Sequence, residues 1–369
     1  MDRVDFLVIG AGIAGLSAAA HLAQHGSVAV CESESAPGFH SSGRSAAFAH
    51  FDMDSALVRA LTAASMPFLE EPAAKRHPAM FIGLAGQERK LDEVEQSYRA
   101  WAPHVRRITA EKAREIVPAL NTGNGALVGA LLDTEARKLD AHAMLEGHRR
   151  LLRDRGGTMA VDAKVTGLRR EGDRWTIDTP SQSYSAGAVI NAAGAWADKV
   201  AALGGVAPIG IRPLRRTVIT FDVPEGLDVS SWPFTKTVGS GFYFEPEGRG
   251  RLLACPMDEG ASEPCDAQPE EEDVALAAWR VEEATTLEIR RIASKWAGLR
   301  SFAPDRLPVA GFDPSAPGFF WLAGQGGFGL QTSPAMSLAV EALATRGDWP
   351  DELSAVAVTA EQLSPARLR

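Results

Sequence analysis

Three glycines, Gly10, Gly12 and Gly15, follow the spacing G-x-G-x-x-G between a short apolar run, 5–9, and an alanine-rich segment, 16–25. In a turn from strand to helix the first glycine permits the bend and the second lets the backbone approach a pyrophosphate. The third lets helix and strand pack closely. Phosphate charge then meets the free amides and the positive dipole end of the helix, where Ile13 and Ala14 lie. A second apolar run, 28–31, ends at Glu32 and Ser33. An acid about 20 residues past the glycines accepts hydrogen bonds from an adenosine ribose. Strand, helix, second strand and acid together read as a dinucleotide-binding βαβ unit; a lone glycine motif would not.

The motif does not separate FAD from NAD. FAD is long and needs contacts far downstream, and three stretches of small residues would let backbone amides reach such a ligand. The first holds Ser41, Ser42, Arg44, Ser45 and Ala46. The second holds Ala192, Gly194 and Trp196. The third holds Gly326, Gly327, Phe328, Gly329, Leu330 and Gln331. Val165, at the start of a hairpin segment, is counted with them.

The elements that must position these groups follow from the pattern. Helices are expected over 55–70, 110–116 and 140–153, the last with Asp140 as N-cap. Segments 164–170 and 175–179 bracket Glu171-Gly172-Asp173 as a hairpin. Segment 188–191 is a third buried strand. Between 212 and 256 the chain is rich in proline, aromatics and alternating residues, which predicts an antiparallel sheet. An acidic helix is expected over 269–287, strands over 296–302 and 318–323, and a closing helix over 334–346. The 369 residues exceed one ordinary domain. The fold class is therefore α/β: a discontinuous Rossmann-like FAD-binding domain (1–77, 140–205 and 300–369) and an α+β antiparallel-sheet substrate domain (78–139 and 206–299).

Composition narrows the function. A net charge of −9 argues against nucleic acid or an anionic membrane as partner, since both need a positive face. No apolar run reaches the roughly 20 residues of a spanning helix, and no signal peptide is apparent, so a cytoplasmic protein is expected. Cys31, Cys255 and Cys265 are too few and scattered for a disulfide framework or zinc site. Cys31 reads as a buried structural thiol, and no metal is expected.

Assembled in order, the segments LVIGAGIAG (7–15), HSSGRSAA (40–47), VRALTAAS (58–65), NAAGAWAD (191–198), EEATTLEIRR (282–291), WAGLRSF (296–302) and GQGGFGLQTS (324–333) resemble the D-amino-acid-oxidase-like superfamily of FAD enzymes. Within it the chain is most similar to the bacterial D-arginine dehydrogenase group. The resemblance implies non-covalent FAD and a substrate carboxylate held by Arg216, Arg300 and Tyr243. It also implies that the backbone at Gly327, with Gln331, lines the other side of the substrate. A guanidinium is a planar fork matched to a carboxylate. Arg215 is the alternative to Arg216, because alternation sends the two to opposite faces.

The pattern departs from the D-arginine group where side chains are recognised. Phe48 and Met53 stand where that group has a histidine and a tyrosine, and Ala79 stands where it has a glutamate. A pocket of Phe48, Met53, Ala79 and Met80 would favour uncharged side chains, because burying an unpaired cation costs several kcal/mol. His50, with an ordinary pKa of about 6.5, suits proton transfer or a hydrogen bond to substrate. The expected reaction is oxidative deamination of D-amino acids to 2-oxo acids and ammonia, with hydride transfer to flavin N5. The alternatives are a glycine- or sarcosine-type oxidase, a 2-hydroxy acid dehydrogenase, a flavoprotein without turnover and an NAD enzyme. The electron acceptor, whether quinone, dye or oxygen, stays open.

Overall fold

The computed structural model describes residues 1–121 and 127–369. Residues 122–126, inside the segment 78–139 assigned to the substrate domain, lie outside the described residues.

Strand Asp2–Ile9 is central to the first sheet. It pairs in parallel with Val28–Cys31 on one side and Ser183–Asn191 on the other. Thr158–Ala160 and Phe319–Ala323 extend the two edges, also in parallel. Helices pack on one face, and a further helix with a hairpin paired to Ser183–Asn191 on the other, which is why the buried segments 7–9, 28–31 and 188–190 are apolar and not alternating. Val8, Val30 and Ile190 face helices Ile13–Leu22 and Gly329–Thr345. Leu7, Ala29 and Val189 face Trp175, Ile177 and helix Ala197–Leu203. Cys31 is buried in this core, and burial pushes its thiol up to about 11. The hairpin Gly167–Glu171 with Arg174–Asp178 forms as expected. Helix Ala141–Asp154 also forms, capped by the Asp140 carboxylate, which accepts from the Ala143 amide at 2.9 Å.

The closing helix begins at Gly329, five residues before the expected 334. Proline has no N–H, so Pro334 deprives the Leu330 carbonyl of its helical donor. The Ser333 hydroxyl supplies a donor instead, at 3.0 Å from that oxygen. This lets the helix start directly behind the glycine stretch.

The second sheet is built on Arg212–Asp222, flanked antiparallel by Arg251–Cys255 and Ile292–Phe302. Tyr243–Pro246, Phe234–Thr237, Ala79–Leu84, Leu127–Asp133 and Arg106–Ile108 continue it, with one parallel pair, Phe234–Thr237 beside Ala79–Leu84. One face is covered by the acidic helix Glu271–Ala284, whose Val274, Ala277 and Val281 pack with Ile219, Phe221 and Phe244. The opposite face carries Arg216, Val218, Tyr243 and Arg300 toward a large cavity. A domain boundary at residue 300 would cut Ile292–Phe302, whose ladder to Arg212–Asp222 runs on to Phe302. No helix among the described residues is long and apolar enough to cross a membrane.

Candidate active site

A cavity of about 2040 Å³ is lined by residues of both sheets. At one end is the glycine turn. Gly10 has φ +101°, and a Cβ there would stand 2.7 Å from the Ala192 carbonyl oxygen. Gly10, Gly12, Ile13 and Ala14 line the cavity. Gly15 does not; its Cβ would stand 1.9 Å from the Gly10 oxygen, so it serves the helix–strand contact alone. Gly12 caps the helix without a side chain, and the Ile13 amide donates to the Ser42 hydroxyl at 3.0 Å. Glu32 accepts from the Ala11 amide at 2.6 Å and from the Glu34 amide at 3.0 Å, fixing its carboxylate at the cavity wall beside Ser33. Val165, Ala192, Gly194 and Trp196 complete this end. Asn191, at the head of this stretch, donates to the Ala197 carbonyl at 2.8 Å and so ties the strand end to the turn that follows.

The serine-rich stretch divides. Ser41, Ser42, Ser45 and Ala46 line the cavity, though the Ser41 hydroxyl already donates to the Leu299 carbonyl at 2.6 Å. The Ser45 hydroxyl accepts from the Ala47 amide at 3.0 Å. Arg44 also lines the cavity, but its guanidinium is engaged elsewhere: it donates to the Ala267 and Ala297 carbonyls and pairs with Asp266, which ties this loop to the second sheet.

The other end holds the arginines. Arg216 reaches the cavity, whereas Arg215, on the opposite face of its strand, pairs with Glu270 and Asp273 of the acidic helix region. Arg300 lies beside Gly327, with its guanidinium carbon 4.9 Å from the Phe328 ring centroid and 5.2 Å from that of Phe302. Burial, and next the repulsion of Arg216, pull the Arg300 pKa down to about 9. Glu259 accepts from both arginines. Burial, followed by the neighbouring Cys255 thiol, holds the Tyr243 phenol well above its usual range, so it stays a neutral donor.

Phe48, His50 and Met53 line the same end, with Phe234 stacked on Phe48 at 4.4 Å. Ala79 and Met80 do not. Ala79 pairs in register with Phe234, is wholly buried among Phe48 and Phe81, and leaves the wall to Phe234. Met80 points into the opposite core with Ile82 and Phe244. The wall is also less oily than expected. Asp52 and Lys236 form an ion pair there, each side chain 7% exposed, and Lys236 also donates to the Thr237 and Gly239 carbonyls. Nothing local in the sequence marks this pair.

The His50 pKa falls to about 4, because burial disfavours the imidazolium. Its Nδ1 accepts from the Asp52 amide at 3.1 Å, which assigns the proton to Nε2. Gln331 lines the cavity, yet its amide donates to the Thr62 hydroxyl at 2.6 Å and the His50 carbonyl at 3.2 Å. It therefore anchors the His50 loop. Gly326, Gly327 and Phe328 border the arginine end, and Gly329 and Leu330 line the cavity beside Ile13.

These features fit an extended dinucleotide: a glycine cradle, a fixed acid and a long continuous cavity. The buried Ser301 hydroxyl and Gln325 amide nitrogen, on two lining residues, have no partner among the described residues. Such orphans are expected where a bound group completes the hydrogen bonding. A sheet with a parallel core and a glycine turn, joined to a largely antiparallel sheet that presents paired arginines, defines a dinucleotide-dependent protein of mixed α/β fold. The chain belongs to the FAD dependent oxidoreductase (DAO) family, whose model matches residues 5–343.

Glycine oxidase of Geobacillus kaustophilus is 26% identical, over 97% of each chain. The L-proline dehydrogenase structure from P. horikoshii superposes with a TM-score of 0.85 at 21% identity, over 99% of this chain and 98% of that one. The glycine oxidase structure from Geobacillus kaustophilus gives 0.81 at 22% identity, over 98% and 99%. The two solved structures share the fold. They do not carry the narrower likeness to the D-arginine dehydrogenase group.

Proposed function

We propose that this protein oxidises the Cα–N bond of a small amino acid with one carboxylate, preferring D-amino acids with uncharged side chains, and releases a 2-oxo acid and ammonia. The observation that carries the reading is the convergence of Arg216 and Arg300, beside Tyr243, in a cavity continuous with the glycine turn. FAD, held without a covalent link, supplies the hydride acceptor. Gly10, Gly12, Ile13 and Ala14 would meet its pyrophosphate and Glu32 its ribose.

The chain's own residues bind and orient. Two planar guanidiniums fix the carboxylate, and that restricts how the α-carbon can lie. Tyr243 adds a neutral hydroxyl donor. His50 offers an Nε2–H, so it serves as a hydrogen-bond donor and not as a base. Phe48, Met53 and Phe234 receive the side chain. Asp52, the nearby carboxylate, is engaged by Lys236 and offers little to a cationic substrate, which supports the expected discrimination against D-arginine.

A second reading is favoured by the relatives. Glycine oxidase and L-proline dehydrogenase are named for an amino acid without a side chain and for a cyclic secondary amine. Oxidation of glycine or an N-substituted glycine would use the same arginines. Anaerobic mixing of the purified flavoprotein with D-, L- and N-substituted amino acids tests both readings by flavin bleaching. Bleaching by D-methionine or D-phenylalanine ahead of sarcosine and glycine supports the first, and the reverse order supports the second. No bleaching by any of them contradicts both. Peroxide formed in air would identify oxygen as acceptor.

A further inference from the structure

Three guanidiniums meet one carboxylate at the arginine end of the cavity. Glu259 Oε1 lies 3.3 Å from Arg216 Nη2, 3.2 Å from Arg300 Nη1 and 2.9 Å from Arg306 Nη2. Glu259 Oε2 is 3.1 Å from Arg306.

The partners differ in how firmly they are held. Arg216 is 13% exposed, and its Nε donates to the Asp258 carbonyl at 2.7 Å independently of Glu259. The Asp258 carboxylate is in turn engaged by the Thr217 amide and hydroxyl. Arg300 is wedged against Gly327 and between the Phe302 and Phe328 rings. Glu259 itself is 35% exposed, and Arg306 is 52% exposed with its guanidinium 3.8 Å from the Phe302 centroid. The inner two arginines thus form a fixed frame. Glu259 and Arg306 form a partly solvated pair at its rim.

Two buried guanidiniums side by side repel each other and require a counterion. Glu259 supplies it with the same group that an amino acid would bring. We infer that Glu259 is a resident stand-in for the substrate carboxylate: it holds Arg216 and Arg300 in the binding pose, then yields to the incoming carboxylate and swings onto Arg306. The inference rests on the two-arginine reading above. It makes Glu259 a positioning residue: moved onto Arg306 it cancels the outer charge and leaves the two inner guanidiniums to the incoming carboxylate.

The test is Glu259→Gln, which removes the charge and keeps the shape, studied as the FAD-loaded protein. Acetate, a bare carboxylate, is the probe, and its Kd is measured by calorimetry. With the competitor gone, acetate binds about tenfold more tightly, and KM for the best amino acid falls by a similar factor while kcat changes little. Glu259→Asp, which keeps the charge, returns both values toward wild type. Arg306→Met, which removes the outer berth, weakens acetate binding. Unchanged or weaker acetate binding in Glu259→Gln would overturn the inference. Arg300→Met separates the two levels. If it abolishes acetate binding while Glu259→Gln fails to tighten it, the clamp stands and the stand-in falls. If Arg300→Met leaves acetate binding intact, the clamp itself is wrong. Should Glu259→Gln not fold, Arg306→Met alone decides, since unchanged acetate affinity there removes the exchange.

Discussion

A Cβ on Gly327 would stand 2.0 Å from Nε of Arg300, so the guanidinium lies where only a hydrogen fits. Gly327 also has φ +90°, a region that L side chains rarely adopt. The glycine stretch that closes the cavity and the arginine that grips substrate are therefore one fitted unit. Gly327→Ala should displace Arg300, and a shift of about 1 Å in such a group costs about 100-fold in rate. Steady-state kinetics should show kcat/KM down by about that factor. A variant with wild-type kcat/KM would mean that Arg300 does not need this seat.

His50 should be silent in the pH profile near its ordinary value. Burial lowers its pKa from 6.5 to about 4. The stabilisation tied to neutral His50 is thus present above pH 6.5 and is lost as pH falls toward 4. Any inflection of kcat/KM between about pH 5.5 and 8 then belongs to another group. Profiles of wild type and His50→Asn should run parallel in that range. Loss of an inflection in the variant would make His50 a titrating catalyst.

Lys236 and Asp52 should reveal themselves through both stability and selectivity. Lys236→Met leaves a buried carboxylate without its partner, which costs about 3–5 kcal/mol. The thermal midpoint should drop by several degrees and recover in the double variant Lys236→Met/Asp52→Asn. In the single variant the freed carboxylate sits beside Phe48 and Met53, so D-arginine and D-lysine should gain relative to D-methionine. An unchanged ratio in a substrate panel would show that Asp52 does not face the substrate side chain.

Much of the nucleotide end was legible because its signals are local. Gly10, Gly12, Gly15 and Glu32 lie within one βαβ unit, and each position answers to a steric or charge requirement that a short window displays. The arginine end was legible only in part. Alternation says that Arg215 and Arg216 face opposite ways. Which face meets the cavity depends on the acidic helix Glu271–Ala284, which packs on the other side and takes Arg215. The same gap misplaced Ala79 and Met80, since strand Phe234–Thr237 lies alongside theirs in register and puts Phe234 at the wall. Asp52 and Lys236, 184 residues apart, meet only through the sheet topology. The ties of Arg44 to the Ala267 and Ala297 carbonyls, 223 and 253 residues away, are likewise invisible in a local window.

The central claim is that Arg216 and Arg300 grip the substrate carboxylate beside the flavin. Replacing each with methionine and measuring kcat/KM on the best amino acid, with FAD content checked by visible absorption, tests it most directly. Truncating one partner of a buried charge pair costs roughly 2–5 kcal/mol. Both variants should therefore stay yellow and lose about 30-fold or more in kcat/KM, chiefly through KM. Yellow variants that turn over substrate at the wild-type kcat/KM would contradict the account.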